Sequence, residues 1–434
     1  MKFIPGGRYL YYAGRPNKFF NNCYLLKAEE DSREDWANLS WKSENCLMTG
    51  GGIGIDYSIY RASGTPISKT GGTASGPIPK MEMINSIGSK VMQGGSRRSA
   101  IYASLNWKHG DIHDFLKAKD WASMPVGSTG KTLWDIKQED FNYPAPLDMT
   151  NISVNYDTEW LLNYYKTGEV GEVFMQNVKQ AMQTAEPGFS FNFFDKENET
   201  LRNACTEVTS DSDSDVCNLG SVNMGRITDI DEMSDVVALA TKFLICGTLK
   251  AKLPYDKVYK VREKNRRLGL GLMGMHEWLI QRGSKYEVTP ELHSWLQVYR
   301  GVSDKVSRET ADAFSISRPV ANRAIAPTGS IGILAGTSTG VEPIFAVAYK
   351  RRYLKGTNRW VYQYVVDSAA QTLIYRYGAQ PDNVESALDL AEDYERRMSF
   401  QADVQDYVDM SISSTINLPS WGSKLNNEGT VEKF

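Results

Sequence analysis

Two periods of hydrophobic spacing alternate along this chain. Met81, Met83, Ile84, Ile87 and Val91 recur at helical spacing, which predicts a helix over 81–92. A further helix is predicted over 32–48, followed by a glycine-rich turn, Gly50 to Asp56, that enters a short strand. A strand over 100–105 leads to a helix over 111–119, and 121–150 reads as a Pro-containing connector. A strand at 152–154 precedes helices over 159–166 and 171–184, and 187–193 is a turn into another strand. Amphipathic helices are predicted over 230–250, from 254, and over 290–315. An acidic helical stretch at 383–400 and a helix over 401–412 follow, and the last dozen residues are polar. Short strands between longer helices argue for an α/β fold.

Length refines this picture. At about 150 residues per domain, 434 residues suggest two or three domains, with one large barrel as the usual exception. The 49 basic and 52 acidic residues leave a net charge of −3, which supports neither a nucleic-acid partner nor a basic membrane patch. No apolar run approaches the roughly 18 residues of a membrane span. The N-terminus lacks a secretory apolar stretch, so the expected place is the cytoplasm of a cell or of a host.

The five cysteines are odd in number and contain no C-x-x-C pair, unlike a secreted disulfide framework. His109 and His113 have i, i+4 spacing, but Gly110 interrupts them and a metal site needs three or four ligands, so no metal is expected in the chain. Gly269, Gly271 and Gly274 form a G-x-G-x-x-G match without a clean hydrophobic strand before it, which argues against a dinucleotide site. Cys46 and Cys246 have apolar neighbours and read as core residues.

The run Asn203-Ala204-Cys205-Thr206-Glu207 carries the chemistry. In an extended segment residues 203, 205 and 207 share one face. An amide, a thiol and a carboxylate together suit hydrogen abstraction from a polyhydroxylated carbon skeleton. Taken alone, the run fits a buried structural cysteine between two polar loop residues better, since free cysteine is among the most buried residue types. Glycine-rich segments near Arg61 and Lys69 could wrap an anion, and Thr328 and Ser330 around Gly329 could cradle phosphate oxygens or form an ordinary capped turn.

The run 203–207, followed by Cys217-Asn218-Leu219-Gly220-Ser221-Val222-Asn223, resembles the active-site core of the ribonucleotide reductase large subunit. Three more segments match that family in order. They are Asn22-Cys23-Tyr24-Leu25-Leu26, Gln93-Gly94-Gly95-Ser96-Arg97-Arg98-Ser99-Ala100, and Pro327-Thr328-Gly329-Ser330-Ile331-Gly332 leading into Gly340-Val341-Glu342-Pro343. The resemblance extends from about residue 3 to about residue 419.

It implies a ten-stranded α/β barrel of two five-stranded halves, surrounded by helices, with a central finger loop carrying Cys205. Cys205 would become the thiyl radical that removes the ribose 3′-hydrogen. Glu207 would be the base for the 3′-hydroxyl, and Asn203 would bond substrate hydroxyls. Cys23 and Cys217 would be the redox pair, and two thiols joining as a disulfide supply the two electrons the reduction needs. Asn22, Pro327, Thr328, Gly329, Ser330 and Ile331 would bind the ribonucleoside di- or triphosphate. Glu30, Arg61, Lys69, Gly94, Gly95, Ser96, Arg97 and Arg98 would serve a deoxynucleoside triphosphate (or ATP) effector at a homodimer interface, with effector elements over about 27–100.

The resemblance further implies one catalytic barrel domain without an N-terminal ATP cone, a tail from about 420, and a thiol reductant as partner. The radical would come from a metal-containing small subunit, the favoured source, or from adenosylcobalamin. The relatives' paired C-terminal tyrosines and tail cysteines have no match, since no cysteine follows Cys246 and no tyrosine follows Tyr407. A glycyl-radical barrel enzyme and a non-catalytic nucleotide sensor are the rival readings.

Overall fold

The computed structural model describes residues 1–68, 71–91, 99–355 and 359–417. The strands are β1 (Phe3–Pro5), β2 (Cys23–Lys27), β3 (Gly52–Asp56), β4 (Ile101–Asn106), β5 (Thr150–Tyr156), β6 (Gly188–Phe191), β7 (Leu201–Arg202), β8 (Thr209–Ser210), β9 (Asp215–Asn223), β10 (Leu268–Met273), β11 (Ala348–Lys355) and β12 (Arg359–Val366). The helices of the first half are α1 (Gly7–Tyr12), α2 (Arg33–Met48), α3 (Ile78–Lys90), α4 (Ile112–Lys117), α5 (Leu133–Glu139), α6 (Thr158–Thr167) and α7 (Glu172–Thr184). Those of the second half are α8 (Ile230–Lys250), α9 (Asp256–Asn265), α10 (Met275–Gln281), α11 (Pro290–Ala313), α12 (Gly329–Ala335), α13 (Ser368–Tyr377), α14 (Ala387–Leu390) and α15 (Tyr394–Gln405). Side-chain caps fix several starts: Ser32 accepts from the Asp35 N–H at α2, Asp229 from Glu232 at α8, and Thr289 from Leu292 at α11.

The main sheet is mixed. Strands β2 to β6 run parallel in sequence order. β9 joins β2 antiparallel, and its later residues pair antiparallel with β1 and parallel with β10. The chain continues the curve beyond β10. The Ala324 N–H donates to the Leu270 carbonyl, and Ile325 then donates to the Ser411 carbonyl and accepts from the Ser413 N–H. The result is a curled half-barrel with helices outside.

Strand alternation sorts the two faces. Tyr24, Leu26, Ile53, Ile55, Ile101, Ala103, Leu105, Ile152, Val154 and Tyr156 point outward into a core shared with Leu39, Leu47, Met81 and Ile84. A second core covers β9 and β10, where Val222, Leu268, Leu270 and Leu272 meet Val237, Leu244, Trp278, Leu296 and Tyr299. The intervening positions of β2 to β5 face inward and are mostly small or polar, Cys23, Gly52, Gly54, Ser104, Ser153 and Asn155 among them, with Leu25 and Tyr102 as the large exceptions.

Three expectations change. The connector over 121–150 contains α5, started by a reciprocal Thr132/Asp135 capping box. The helix predicted over 401–412 ends at Gln405, whose side-chain amide bonds the carbonyls of Val408 and Met410, and 410–413 is extended instead. Cys246 is exposed on α8, because its neighbours Leu244 and Ile245 take the inward positions of that turn. Cys46 is fully buried.

The hairpin of β7 and β8 lies across the inner face as a finger. A Cβ added at Gly54 would stand 1.6 Å from the Arg202 carbonyl oxygen, and one at Gly52 would stand 3.1 Å from the Ala204 Cβ. Gly54→Ala is therefore expected to destabilise the fold by about 3 kcal/mol or more, because backbone rather than a side-chain tip must move. Gly52→Ala should cost clearly less. Urea unfolding of the two variants measures both.

Candidate active site

The finger starts from Arg202, which is buried. Its guanidinium bonds the Phe191 carbonyl and the Asn192 side chain at 3.0 Å each, and also the Ser411 hydroxyl. The Ser411 N–H donates to the Glu207 carbonyl at 2.9 Å, so the last described segment grips both limbs of the finger. Between the limbs the chain turns. Thr206 has φ +71° and its N–H bonds the Asn203 carbonyl at 2.9 Å. The extended geometry expected for 203–207 is thus replaced by a turn, because the finger has to reverse direction within these residues.

The turn still brings the expected groups together. Cys23 and Cys217 are direct cross-strand partners of β2 and β9. Such partners have Cα atoms about 4.5–5.5 Å apart, inside the span that a disulfide bridges. The Asn203 amide donates to the Cys23 sulfur at 3.0 Å, and its oxygen accepts from the Val208 N–H at 2.9 Å. Asn151 donates to the Ala204 carbonyl at 3.2 Å, which fixes the fingertip over β5.

Burial pushes the Cys23 thiol well above its ordinary value, and the nearby Glu207 and Cys205 add to the rise. The Cys217 thiol rises by burial, then by Glu207 and Asp215. Both therefore persist as S–H groups. Burial also pushes the Glu207 carboxyl up to about 7, while Asn203 holds it back. Glu207 Oε2 is buried without a hydrogen-bond partner, which marks polar capacity held open at this spot, and Asn22 Oδ1, beside Gly6, is likewise unpartnered.

Cys205 is not sheltered from water as a radical site buried in a barrel would be. It is exposed, because it occupies the apex of the turn on the open side of the half-barrel. It is nevertheless coupled electrostatically to Cys23, so the two sulfurs share one neighbourhood.

A family model described as ribonucleotide reductase, barrel domain, matches residues 21–294 and 320–434. The chain belongs to the ribonucleotide reductase barrel family. It is 27% identical, over 97% of its length, to a vitamin B12-dependent ribonucleoside-diphosphate reductase of Mycobacterium tuberculosis, of which it covers 66%. A protein of Mycobacterium phage D29 named as a putative adenosylcobalamin-dependent ribonucleoside-triphosphate reductase is 25% identical over 84% of the chain, which covers 61% of it. A ribonucleoside-diphosphate reductase subunit alpha of Chlamydia muridarum is 24% identical over 66% of the chain and 31% of its own length. The chain spans about two thirds or less of these relatives.

The other residues that the reductase resemblance points to are placed unevenly. Ala326, just before the loop 327–332, packs in one cluster with Cys217 and Leu219, so this loop borders the thiol pair. α12 starts inside it. Gly329 and Ser330 are exposed, whereas the Thr328 hydroxyl is engaged by the Gly340 N–H at 2.8 Å and Ile331 packs on Ile4 and Met273. Arg61, after β3, pairs with Asp31, and the Glu30 N–H is held by Asp35, so Arg61 docks on the acidic segment between β2 and α2 that carries Glu30. Lys69, Gly94, Gly95, Ser96, Arg97 and Arg98 fall outside the described residues. His109 and His113 bond the Tyr60 carbonyl and Gln176 rather than each other.

The in-register thiols should join readily. Treatment with diamide is expected to link Cys23 to Cys217 within one chain, detected by peptide mass spectrometry, and Cys217→Ser should abolish the linked peptide. Glu207 gives a second test. Its folded value of about 7 lies above the ordinary 4.5, so between these pH values the native state holds a proton that the unfolded chain releases. Stability contributed by this group therefore falls as pH rises through that window. Urea titrations from pH 4.5 to 8 should show Glu207→Gln gaining up to roughly 3 kcal/mol on the wild type.

Proposed function

We propose that this chain is the catalytic barrel of a ribonucleotide reductase, which reduces ribonucleotides to 2′-deoxyribonucleotides. The facing thiols of Cys23 and Cys217 under a finger bearing Asn203, Cys205 and Glu207 carry this reading. The finer architecture that goes with it is a ten-stranded barrel of two five-stranded halves, the parallel block β2 to β6 being one. In this reading the barrel is a single catalytic domain whose N-terminal part, about 27–100, binds a deoxynucleoside triphosphate effector at a homodimer contact.

Each side chain has a task in the reduction. Cys205, as a thiyl radical, takes the 3′-hydrogen of the bound ribose and returns a hydrogen at the end. Glu207 accepts the proton of the 3′-hydroxyl, and a carboxyl near 7 both takes and gives protons efficiently at neutral pH. Asn203 holds Cys23 and lies within reach of the sugar hydroxyls. The 2′ carbon–oxygen bond breaks, the oxygen leaves as water, and a carbon–hydrogen bond replaces it. The two electrons come from Cys23 and Cys217, which join as a disulfide. An external thiol reductant then restores the pair. The loop 327–332, with Gly329 and Ser330 exposed, takes the substrate phosphates, and Asn22 lines the sugar side.

For the radical source we favour adenosylcobalamin over a metal-containing small subunit, because relatives aligned over 97% of the chain carry that dependence in their names. The exposed Cys205 fits, since a bulky cofactor can approach its sulfur directly. When bound, such a cofactor supplies the unpaired electron that the thiol requires. Among the described residues no helix is long and apolar enough to cross a membrane, and action in the cytoplasm is part of the proposal.

The experiment is a deoxynucleotide assay with each ribonucleoside di- and triphosphate, dithiothreitol and adenosylcobalamin. Wild type should form deoxynucleotide, and Cys205→Ser should reduce the yield to background. Nucleotide binding without turnover under adenosylcobalamin and under a supplied small subunit would favour the sensor reading instead.

A further inference from the structure

The finger hairpin is short for the task it has. β7 and β8 pair through Leu201↔Ser210 and Arg202↔Thr209, with one more backbone bond from the Asn203 N–H to the Val208 carbonyl, and an isolated two-stranded pairing of this size is marginal in water. Something else must hold its base. Behind it lies a buried polar cluster that the reaction described above does not use.

Arg267 is the centre of this cluster. Its Nε donates to Asp215 Oδ2 at 2.8 Å, and both terminal nitrogens lie 3.4 Å from Glu199 Oε1. Asp215 Oδ2 also accepts from the Ser210 hydroxyl at 2.7 Å and from Asn265 at 2.8 Å. Glu199 Oε2 accepts from the Thr209 hydroxyl at 2.7 Å. The side chain of Asp215 is 0% exposed and that of Arg267 is 5% exposed. Glu199 stands just ahead of β7, and Ser210 and Thr209 form β8. One guanidinium thus closes a ring across both ends of the finger.

The position of Arg267 is also informative. Leu268 pairs with Asn218 in the parallel register of β9 and β10, so Arg267 stands level with Cys217. Asp215 is on the same face of β9 as Cys217, two residues before it. The clamp therefore references the finger to the strand that carries one of the two thiols.

We propose that Arg267, acting through Asp215 and Glu199, is a positioning residue that sets the height of Cys205 and Glu207 over the Cys23–Cys217 pair. The inference rests on the reductase reading for its role in turnover, but the clamp itself can be tested without it. Its logic is geometric. Arg202, Ser411 and Asn151 hold the side of the finger that faces β5 and the 410–413 segment, and Arg267 holds its base against β9. Loss of the clamp lets the base tilt on the remaining contacts, and misplacement of the tip by about an ångström costs about 10²-fold in rate.

The test compares Arg267→Gln with the double variant Arg267→Gln/Asp215→Asn. The single variant leaves a buried carboxylate without its cation and should melt at lower temperature. The double variant removes both charges and should recover the melting temperature. If Arg267 positions the finger, kcat stays about 10²-fold low in both variants while KM changes by no more than about threefold. Recovery of kcat together with melting temperature in the double variant would show a purely structural role and overturn the proposal, as would wild-type kcat in the single variant. Should Arg267→Gln fail to fold, Thr209→Val and Ser210→Ala, each removing one strut, are expected to lower kcat at unchanged KM, and wild-type kcat in both would equally overturn it.

Amide hydrogen exchange separates this outcome from failure of the reductase reading. Faster exchange over 199–210 in the double variant, with β4 and β5 unchanged, supports the clamp even if no radical source yields deoxynucleotide. Unchanged exchange over 199–210 refutes the clamp whatever the activity.

Discussion

The close approach of the finger backbone to β3 is the constraint on which the site depends. The Arg202 carbonyl lies where a Cβ of residue 54 would stand, so only hydrogen is tolerated there. That contact lets the turn at 203–208 descend far enough for the Asn203 amide to reach the Cys23 sulfur. A sheet with ordinary side chains on this face would hold the turn several ångströms higher and separate the thiols from the carboxylate. The inner face therefore gives up packing, and the outer face compensates with the aromatic and aliphatic rows that meet α2, α3 and the helices beyond.

Burial beneath the finger then sets the protonation of the two thiols and the carboxyl there. Thiols kept as S–H can hand over hydrogen, whereas thiolates could not. A carboxyl near neutrality is ready to work in either direction. The same environment makes each unmatched charge costly, which is why Arg202, Asp215 and Arg267 all have multiple partners. Chemistry and architecture are thus two results of one choice, burial.

Local patterns were legible in the sequence, and reversals were not. Helices α2, α8 and α11 follow from spacing and caps, and the strands β3, β4 and β5 from short apolar runs. The constellation 23, 203, 205, 207 and 217 was legible as a resemblance, and the strand register brings its members together. The turn within 203–207 was missed, because alternation cannot reveal a positive φ at a threonine. The exposure of Cys246 was missed, because apolar neighbours on a helix say little about the residue between their directions. Asp215 and Arg267 are 52 positions apart and meet only through the β9–β10 pairing, so nothing local announced them. Asp31, which pairs with Arg61, was signalled only by the acidic run Glu29-Glu30-Asp31.

The unequal accessibility of the sulfurs has a practical side. Cys205 meets solvent while Cys23 and Cys217 are enclosed beneath it. A mild water-borne electrophile will tag Cys205, along with the exposed Cys246 on α8, and leave the enclosed pair intact. Reagents applied before and after unfolding then form a two-channel recorder, with one channel for the pose of the fingertip and the other for the oxidation history of the chamber below.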